Sequence, residues 1–193
     1  PSGDYIAECV TNGFTLSELV TLSGRMSALW AAGVRLLEAL RPRCLHNAER
    51  LADLDTAGAL GLQFCSGHQI LRFYALREQL ADARSPARRR QLLVSLEQLV
   101  RAERDTTAQL VPLAQRHSFL GFHSEAEGYK YFPALLEWRR RQLDRLLETE
   151  FPAVAACLGR SGPLFPRYTG AAAAALARRV RPPSPADIAT LEA

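Results

Sequence analysis

The stretch TLSELVTLSGRMSALWAAGVRLLEAL, residues 15–40, decides the fold of this chain. It opens with Thr-Leu-Ser-Glu, the pattern of a capping box, in which Thr15 and Glu18 satisfy each other's backbone N–H groups at a helix start. Apolar residues and one glycine then recur at intervals of three and four: Leu19, Leu22, Met26, Leu29, Gly33, Leu36 and Leu40. This spacing places them on one face of a helix, and Pro42 ends the pattern. The stretch therefore predicts a long amphipathic helix.

A second helix is predicted from about Arg43 to Ala83. Its apolar face contains Leu54, Ala57, Leu60, Phe64, Leu71 and Tyr74. Gly58, Gly61 and Gly67 lie along its middle, where each costs about 1 kcal/mol relative to alanine. These glycines indicate either a close approach of a neighbouring helix or a kink, and the sequence leaves both interpretations open.

A third helix is predicted from Pro86 to about Arg116, because Ser85-Pro86 is the N-cap and first-turn proline signature. Pro112 is expected to kink it near its end. Two of its stripe positions are polar, and the full stripe is Leu92, Leu96, Leu99, Glu103, Thr106, Leu110 and Leu113.

A fourth helix is predicted to begin near Pro133 and to stop before Pro152. Its apolar face contains Leu135, Leu136, Trp138, Leu143, Leu146 and Leu147. Four long amphipathic helices with short connections predict an all-α fold, an antiparallel four-helix bundle over residues 14–151 with the spaced leucines filling its interior. Residues 1–13 are interpreted as a lead-in. Residues 152–193 are interpreted as an irregular, partly helical tail or a linker to a further domain.

Composition and charge narrow the classes of partner. The net charge of +4 comes from 24 basic and 20 acidic residues, and the arginines lie in short, dispersed runs. A nucleic-acid-binding surface would concentrate that charge on one face, so we expect solvated helix faces and no nucleic-acid partner. No apolar run approaches the roughly 18 residues of a membrane span. The chain starts at Pro1 without a leader pattern, which indicates either a removed leader or an excised piece of a longer chain. Its four cysteines have no repeated spacing, so a reducing, cytoplasmic location is expected.

An interior polar cluster is predicted from His68, Arg72 and Glu103. His68 and Arg72 are four residues apart on the second helix, and Glu103 occupies a stripe position on the third. Because a buried carboxylate must be paired, Arg72 is its expected partner. Two interpretations stay open: an ion pair that fixes the helix register, or a ligand pocket.

One pair of residues on the second helix has the spacing of metal ligands. Cys65 and His68 are three residues apart and share a helix face, but a zinc site needs further ligands, and the remaining candidates, His117 and His123, lie at a helix end or in a loop. The Glu-x-x-His pairs of di-iron bundles and the glycine-rich phosphate loops are absent from the sequence. We therefore expect no metal, no cofactor and no catalytic residue in this chain.

The segment LGFHSEAEGYKYFP, residues 120–133, differs from the helical sequence on both sides of it. Its acidic and aromatic side chains suit contact with a sugar, a cleft or a protein surface. Alternatively, Phe119, Phe122 and Tyr131 fold back over the end of the bundle as structural plugs. The candidate contact residues are His123, Glu125, Glu127, Tyr129 and Tyr131.

Two stretches, ILRFYALREQL (70–80) and RAERDTTAQLVPLAQRHSFLGFHSEAEGYKYFPALLEWRRRQLDRL (101–146), carry a family resemblance. They resemble the helical region after the barrel in large bacterial glycoside-hydrolase-like proteins, including α-glucuronidase-like ones. The resemblance implies that the catalytic carboxylates belong to a barrel, and this chain has no β/α repeat to form one. No catalytic residue is therefore carried over.

Two functional hypotheses follow. The first is a non-catalytic helical accessory or assembly domain of a larger carbohydrate-active protein, whose partners are other domains of the same polypeptide or a homo-oligomer, with carbohydrate as a candidate ligand. It predicts an exposed apolar patch. The second is a stand-alone helical-bundle enzyme or ligand-binding protein that uses the His68, Arg72 and Glu103 cluster, and it predicts an interior cavity there.

Overall fold

The computed structural model describes residues 14–121, 131–160 and 164, and every regular element among them is helical. The five α-helices are α1 (Leu16–Glu38), α2 (Ala48–Asp82), α3 (Pro86–Arg116), α4 (Pro133–Arg145) and α5 (Phe151–Ala155). Short 3-10 helices follow α1 at Arg41–Cys44 and α3 at Ser118–Gly121, and a π-helical turn at Leu146–Glu150 joins α4 to α5. The predicted all-α bundle is confirmed.

Two predicted helix starts are confirmed by their caps. The Glu18 N–H donates to Thr15 Oγ at 3.2 Å, and the Thr15 N–H donates to Glu18 Oε2 at 2.8 Å, which completes the capping box. Ser85 Oγ accepts from the N–H of Arg88 at 3.2 Å, with Pro86 in the first turn. These bonds satisfy donors that a helix N-terminus otherwise leaves unpaired.

The predicted start of α2 was wrong by five residues. A 3-10 helix occupies residues 41–44, and α2 begins only after Asn47, whose side chain accepts from the Arg50 N–H at 3.0 Å. From there α2 runs unbroken through its glycines. At Gly61, an added Cβ would lie 3.0 Å from Cδ1 of Trp30, so this glycine allows α1 to approach closely.

The predicted end of the fourth helix was also wrong. The helical path passes through Pro152, which lacks an N–H, by way of the π-helical turn, where the Phe151 N–H bonds to the carbonyl of Leu146. Phe151 and Leu158 are buried, so packed residues continue past the predicted boundary at residue 151.

The core lies along α3. α2 packs between α1 and α3, while α4, the π-helical turn and α5 pack against α3. One buried cluster comprises Leu80, Leu92, Leu93, Leu96, Val100, Phe151 and Leu158. A second comprises Ala59, Leu110, Val111, Ala114 and Leu136.

Helix α1 lies at the edge of the bundle and has no buried residue. It packs on α2 through Ser23 and Gly24, which both meet His68, and through Trp30, whose ring stands edge-on to that of Phe64. Its spaced leucines face outward instead of filling the interior: Leu29 and Leu36 are each 75% exposed. The prediction that this stripe fills the interior was therefore wrong, because periodicity identifies a shared face without identifying what that face meets.

Candidate functional site

Glu103 is the central polar residue of the interior, only 5% exposed on α3. Its Oε1 accepts from Arg139 Nη2 at 2.6 Å and from Ser66 Oγ at 2.8 Å, and it lies 3.5 Å from Thr107 Oγ. Burial raises the pKa of Glu103, and the charge of Arg139 and the two hydroxyls oppose that rise without cancelling it. The group joins α2, α3 and α4 through one carboxylate oxygen.

The second oxygen of Glu103 has no hydrogen-bond partner among the described residues, and neither has Oε1 of Gln69. Gln69 Nε2 donates to Cys65 Sγ at 3.3 Å, and that sulfur lies 4.0 Å from Thr106 Oγ. These side chains form a polar layer between α2 and α3. Its groups hydrogen-bond mainly to one another, as expected for a layer that fixes helix register.

The charged partner predicted for Glu103 was wrong, because Arg139 of α4 takes the position expected for Arg72. Because Ser66 donates a hydrogen bond to Glu103, the face of α2 that carries Ser66 is the face that meets Glu103. Since a helix turns about 100° per residue, His68 lies about 200° around from Ser66 and so faces away from α3. The predicted three-residue cluster is therefore divided between two sides of α2.

His68 instead packs against α1. Ser23 Oγ lies 3.0 Å from His68 Nδ1, and the ring closely covers Gly24. Burial lowers the pKa of His68, the nearby charge of Arg72 lowers it further, and a hydrogen bond with the backbone of Val20 opposes both effects. Neutral His68 is thus a packing element of the α1–α2 contact.

A second ionic cluster, centred on Asp55, was not predicted from the sequence. Asp55 is 5% exposed and accepts from Arg41 Nη2 at 2.8 Å and Arg116 Nε at 3.1 Å, while His117 Nε2 lies 2.9 Å away. Burial alone raises the pKa of Asp55, but the hydrogen bonds from Arg116, His117 and Arg41 lower it below its ordinary value. The only local signal was a carboxylate beside Leu54 on the apolar face, since its partners lie 14 to 62 residues away.

An open groove of about 290 Å³ borders this cluster between α1, α2 and α3. Its charged lining consists of Glu38, Arg41, Asp55 and Arg116, whose formal charges cancel. Arg41 bonds to Glu38 and Asp55, and Arg116 bonds to Asp55. Each charged side chain that lines the groove is therefore already paired with another one.

The predicted absence of a metal site stays a prediction. Within residues 14–121, 131–160 and 164, no group of three or more His, Cys, Asp or Glu side chains is placed to hold a metal ion. Cys65 lies near Thr106 of α3, whereas His68 faces α1, so this pair points to different helices. Among the described helices, none has both the length and the apolar character that a membrane crossing requires.

The segment 120–133 is described only at its two ends. Tyr131 is partly buried against the cluster that contains Leu136, in keeping with a structural plug. Phe119 is 55% exposed, contrary to the plug expected of it, and stands beside the ring of His117. Outside the described residues lie Phe122 and the candidate contacts His123, Glu125, Glu127 and Tyr129.

We give the name α1 stripe to Leu22, Met26, Leu29, Gly33 and Leu36 on α1 together with Leu40, which lies just after the end of the helix. Of the twelve large apolar side chains that are exposed in the described part of the chain, eight lie on or beside α1, and they are 37% to 75% exposed. Comparison of the chain with protein-family models, curated proteins and solved structures finds no match. The α1 stripe is the candidate functional site that the geometry offers.

Proposed function

We propose that this chain is a non-catalytic helical docking domain of a larger carbohydrate-active protein, in which it supports a catalytic barrel or an oligomer interface. The observation that carries this proposal is the exposed α1 stripe. The link to carbohydrate-active proteins comes from the resemblance of residues 70–80 and 101–146 to helical regions that follow glycoside-hydrolase-like barrels.

The α1 stripe loses free energy of burial as long as it faces water. Burying a leucine side chain fully is worth about 1.5–3 kcal/mol, and the fold leaves Leu29 and Leu36 three-quarters exposed. Contiguous exposed apolar patches on soluble domains mark interaction sites. A docked partner would recover the free energy that the monomer does not.

The interior supports the same interpretation. Asp55 and Glu103 are the buried carboxylates of the described residues, and each already bonds to arginine. A catalytic acid or base must reach the substrate, whereas these groups hold helices together. The alternative of a stand-alone enzyme built on His68, Arg72 and Glu103 lacks support because His68 and Glu103 face different helices.

Hydrolysis assays test the catalytic half of this proposal. The purified chain is incubated with aryl glycosides, aryl glucuronides and xylo-oligosaccharides at pH 5 to 8, and product release is compared with buffer. We expect no turnover by the chain.

Two variants separate intrinsic turnover from a contaminant: Glu103→Gln in the interior, and the double variant Glu125→Gln with Glu127→Gln in the segment 120–133. Circular dichroism verifies that each variant is folded. Turnover that falls in either folded variant would overturn the proposal, and so would turnover above that of a mock preparation from cells that lack the chain.

A further inference from the structure

The occupant of the α1 stripe can be specified further. We propose that the α1 stripe of one copy of this chain packs against the α1 stripe of a second copy, as an antiparallel helix pair. The inference rests on the proposed docking function and names its partner.

The spacing of the α1 stripe identifies the partner as a helix. Its six positions follow one another at intervals of 4, 3, 4, 3 and 4 residues in the sequence. That is the strict heptad seam of a coiled coil, narrower than the apolar face of an ordinary globular helix. The monomer packs α1 on α2 through a different face, where Ser23 and Gly24 meet His68. The seam is therefore left free for a second helix.

The position of Gly33 fixes the register. In an antiparallel pair centred on Ala31, Leu22 faces Leu40 of the second copy, and Met26 faces Leu36 of the second copy. Leu29 then faces Gly33 of the second copy. Gly33 is exposed, and nothing lies within 4 Å of a Cβ added to it, so its missing side chain leaves a gap on the surface. The highly exposed Leu29 fills that gap as a knob fills a hole.

Area and charge both suit self-association. The exposed fractions along the stripe, with Trp30 and Leu37 beside it, correspond to an exposed area of at most on the order of 700 Å², against about 800 Å² per partner in a standard interface. Within α1 the charged residues are Glu18, Arg25, Arg35 and Glu38, two of each sign. A neutral helix does not repel its own copy, and a two-fold pair presents the same patch on both subunits.

Sedimentation velocity of the full chain over a concentration series tests the proposal. We expect a reversible dimer. The double variant Leu29→Gln with Leu36→Gln should raise its dissociation constant at least about 100-fold, because four apolar side chains leave the seam. The control is Val94→Gln with Leu45→Gln, two exposed apolar residues that are not part of the α1 stripe, and it should leave the constant unchanged.

The variant Gly33→Leu distinguishes specific packing at the seam from non-specific hydrophobic association. It adds apolar surface, so non-specific association would strengthen, whereas a knob placed in the gap blocks Leu29 of the second copy and should weaken the dimer at least about 10-fold. The substitution meets no atom within 4 Å at its Cβ in the monomer. A monomer at every concentration, or a dimer that Gly33→Leu strengthens, overturns the inference. The proposed function is overturned instead by hydrolysis that depends on the chain's carboxylates, so the two failures are distinct.

Discussion

At Asp55, one buried carboxylate joins the turn after α1, the first half of α2 and the end of α3. Two arginines and a histidine contact it, and it is almost removed from water. The sequence predicts that Asp55 lies on a helix, but its partners could not be predicted, because no local pattern links residues separated by 61 positions. Glu103 was recognisable as a polar interruption of an apolar stripe, yet its partner Arg139 lay beyond prediction for the same reason.

Replacing Asp55 with asparagine tests this junction. Asp55→Asn should lower the free energy of unfolding by about 2 kcal/mol at pH 7, because a charged acceptor is lost from a buried network while shape is kept. Urea denaturation measures the change. Asp53→Asn is the control, since Asp53 is 68% exposed and should change stability by less than about 0.5 kcal/mol.

The pH dependence of the Asp55→Asn effect follows from the lowered pKa. A carboxylate with a lowered pKa in the folded state stabilises the fold above its ordinary value of 3.8 and loses that contribution as pH falls below it. The difference between wild type and Asp55→Asn should therefore shrink below about pH 3.8. A difference that stays constant to the lowest accessible pH would contradict the assigned role.

His68 gives a second pH-dependent prediction. Because its pKa is lowered in the fold, the unfolded chain binds the proton more tightly, and the free energy of unfolding should fall as pH drops below 6.5. In His68→Gln this component should vanish, whereas His46→Gln, on an exposed turn, serves as the control. Equilibrium unfolding between pH 5 and 8 measures the slope, and an identical slope in His68→Gln and wild type would show that His68 does not cause it.

At the level of helices, caps were predictable and orientations were not. Thr15 with Glu18, and Ser85 with Pro86, begin helices by local hydrogen bonds and backbone geometry, which the sequence encodes within four residues. The outward direction of the α1 stripe is a tertiary outcome, decided by which face α2 selects. The helix likewise continues through Pro152 because of a π-helical turn, which local sequence propensity does not predict.

The contact between α1 and α2 can be tested at its glycines. An alanine at Gly61 would press on Trp30, which is held by its Nε1–H bond to the carbonyl of Ala57 at 2.8 Å. Gly61→Ala should therefore destabilise the fold by about 1 kcal/mol, since overpacking exceeds the gain in helix propensity. Gly67→Ala has open space and should stabilise by up to about 1 kcal/mol. Equal gains at both positions in thermal unfolding would contradict close packing at Trp30.

The two kinds of leucine in the bundle should respond differently to truncation. Leu96 is 3% exposed in the core along α3, so Leu96→Ala should cost about 3 kcal/mol. Leu29→Ala, measured at concentrations where the chain is monomeric, should change stability by less than about 0.5 kcal/mol. Similar large losses in chemical denaturation would place the α1 stripe inside the fold.

For the whole molecule, an edge helix with an uncovered seam is what a docking domain requires. The sequence predicted the all-α class and the four long helices, because apolar periodicity of this length has few other solutions. It also predicted an exposed apolar patch through the first functional hypothesis, although the stripe itself was expected inside. Its link to carbohydrate-active proteins stays a proposal.

The most direct measurement of the central claim uses Met26, the single methionine of the chain, which is one of the α1 stripe residues and is 45% exposed. Hydrogen peroxide adds one oxygen to its sulfur, and because the four cysteines of the chain also react with peroxide, the product is read at the Met26 peptide by mass spectrometry over a series of protein concentrations. If copies dock through this stripe, the oxidation rate should fall as concentration rises, and in Leu29→Gln with Leu36→Gln it should stay at the dilute value. A wild-type rate that is the same at every concentration would contradict the account.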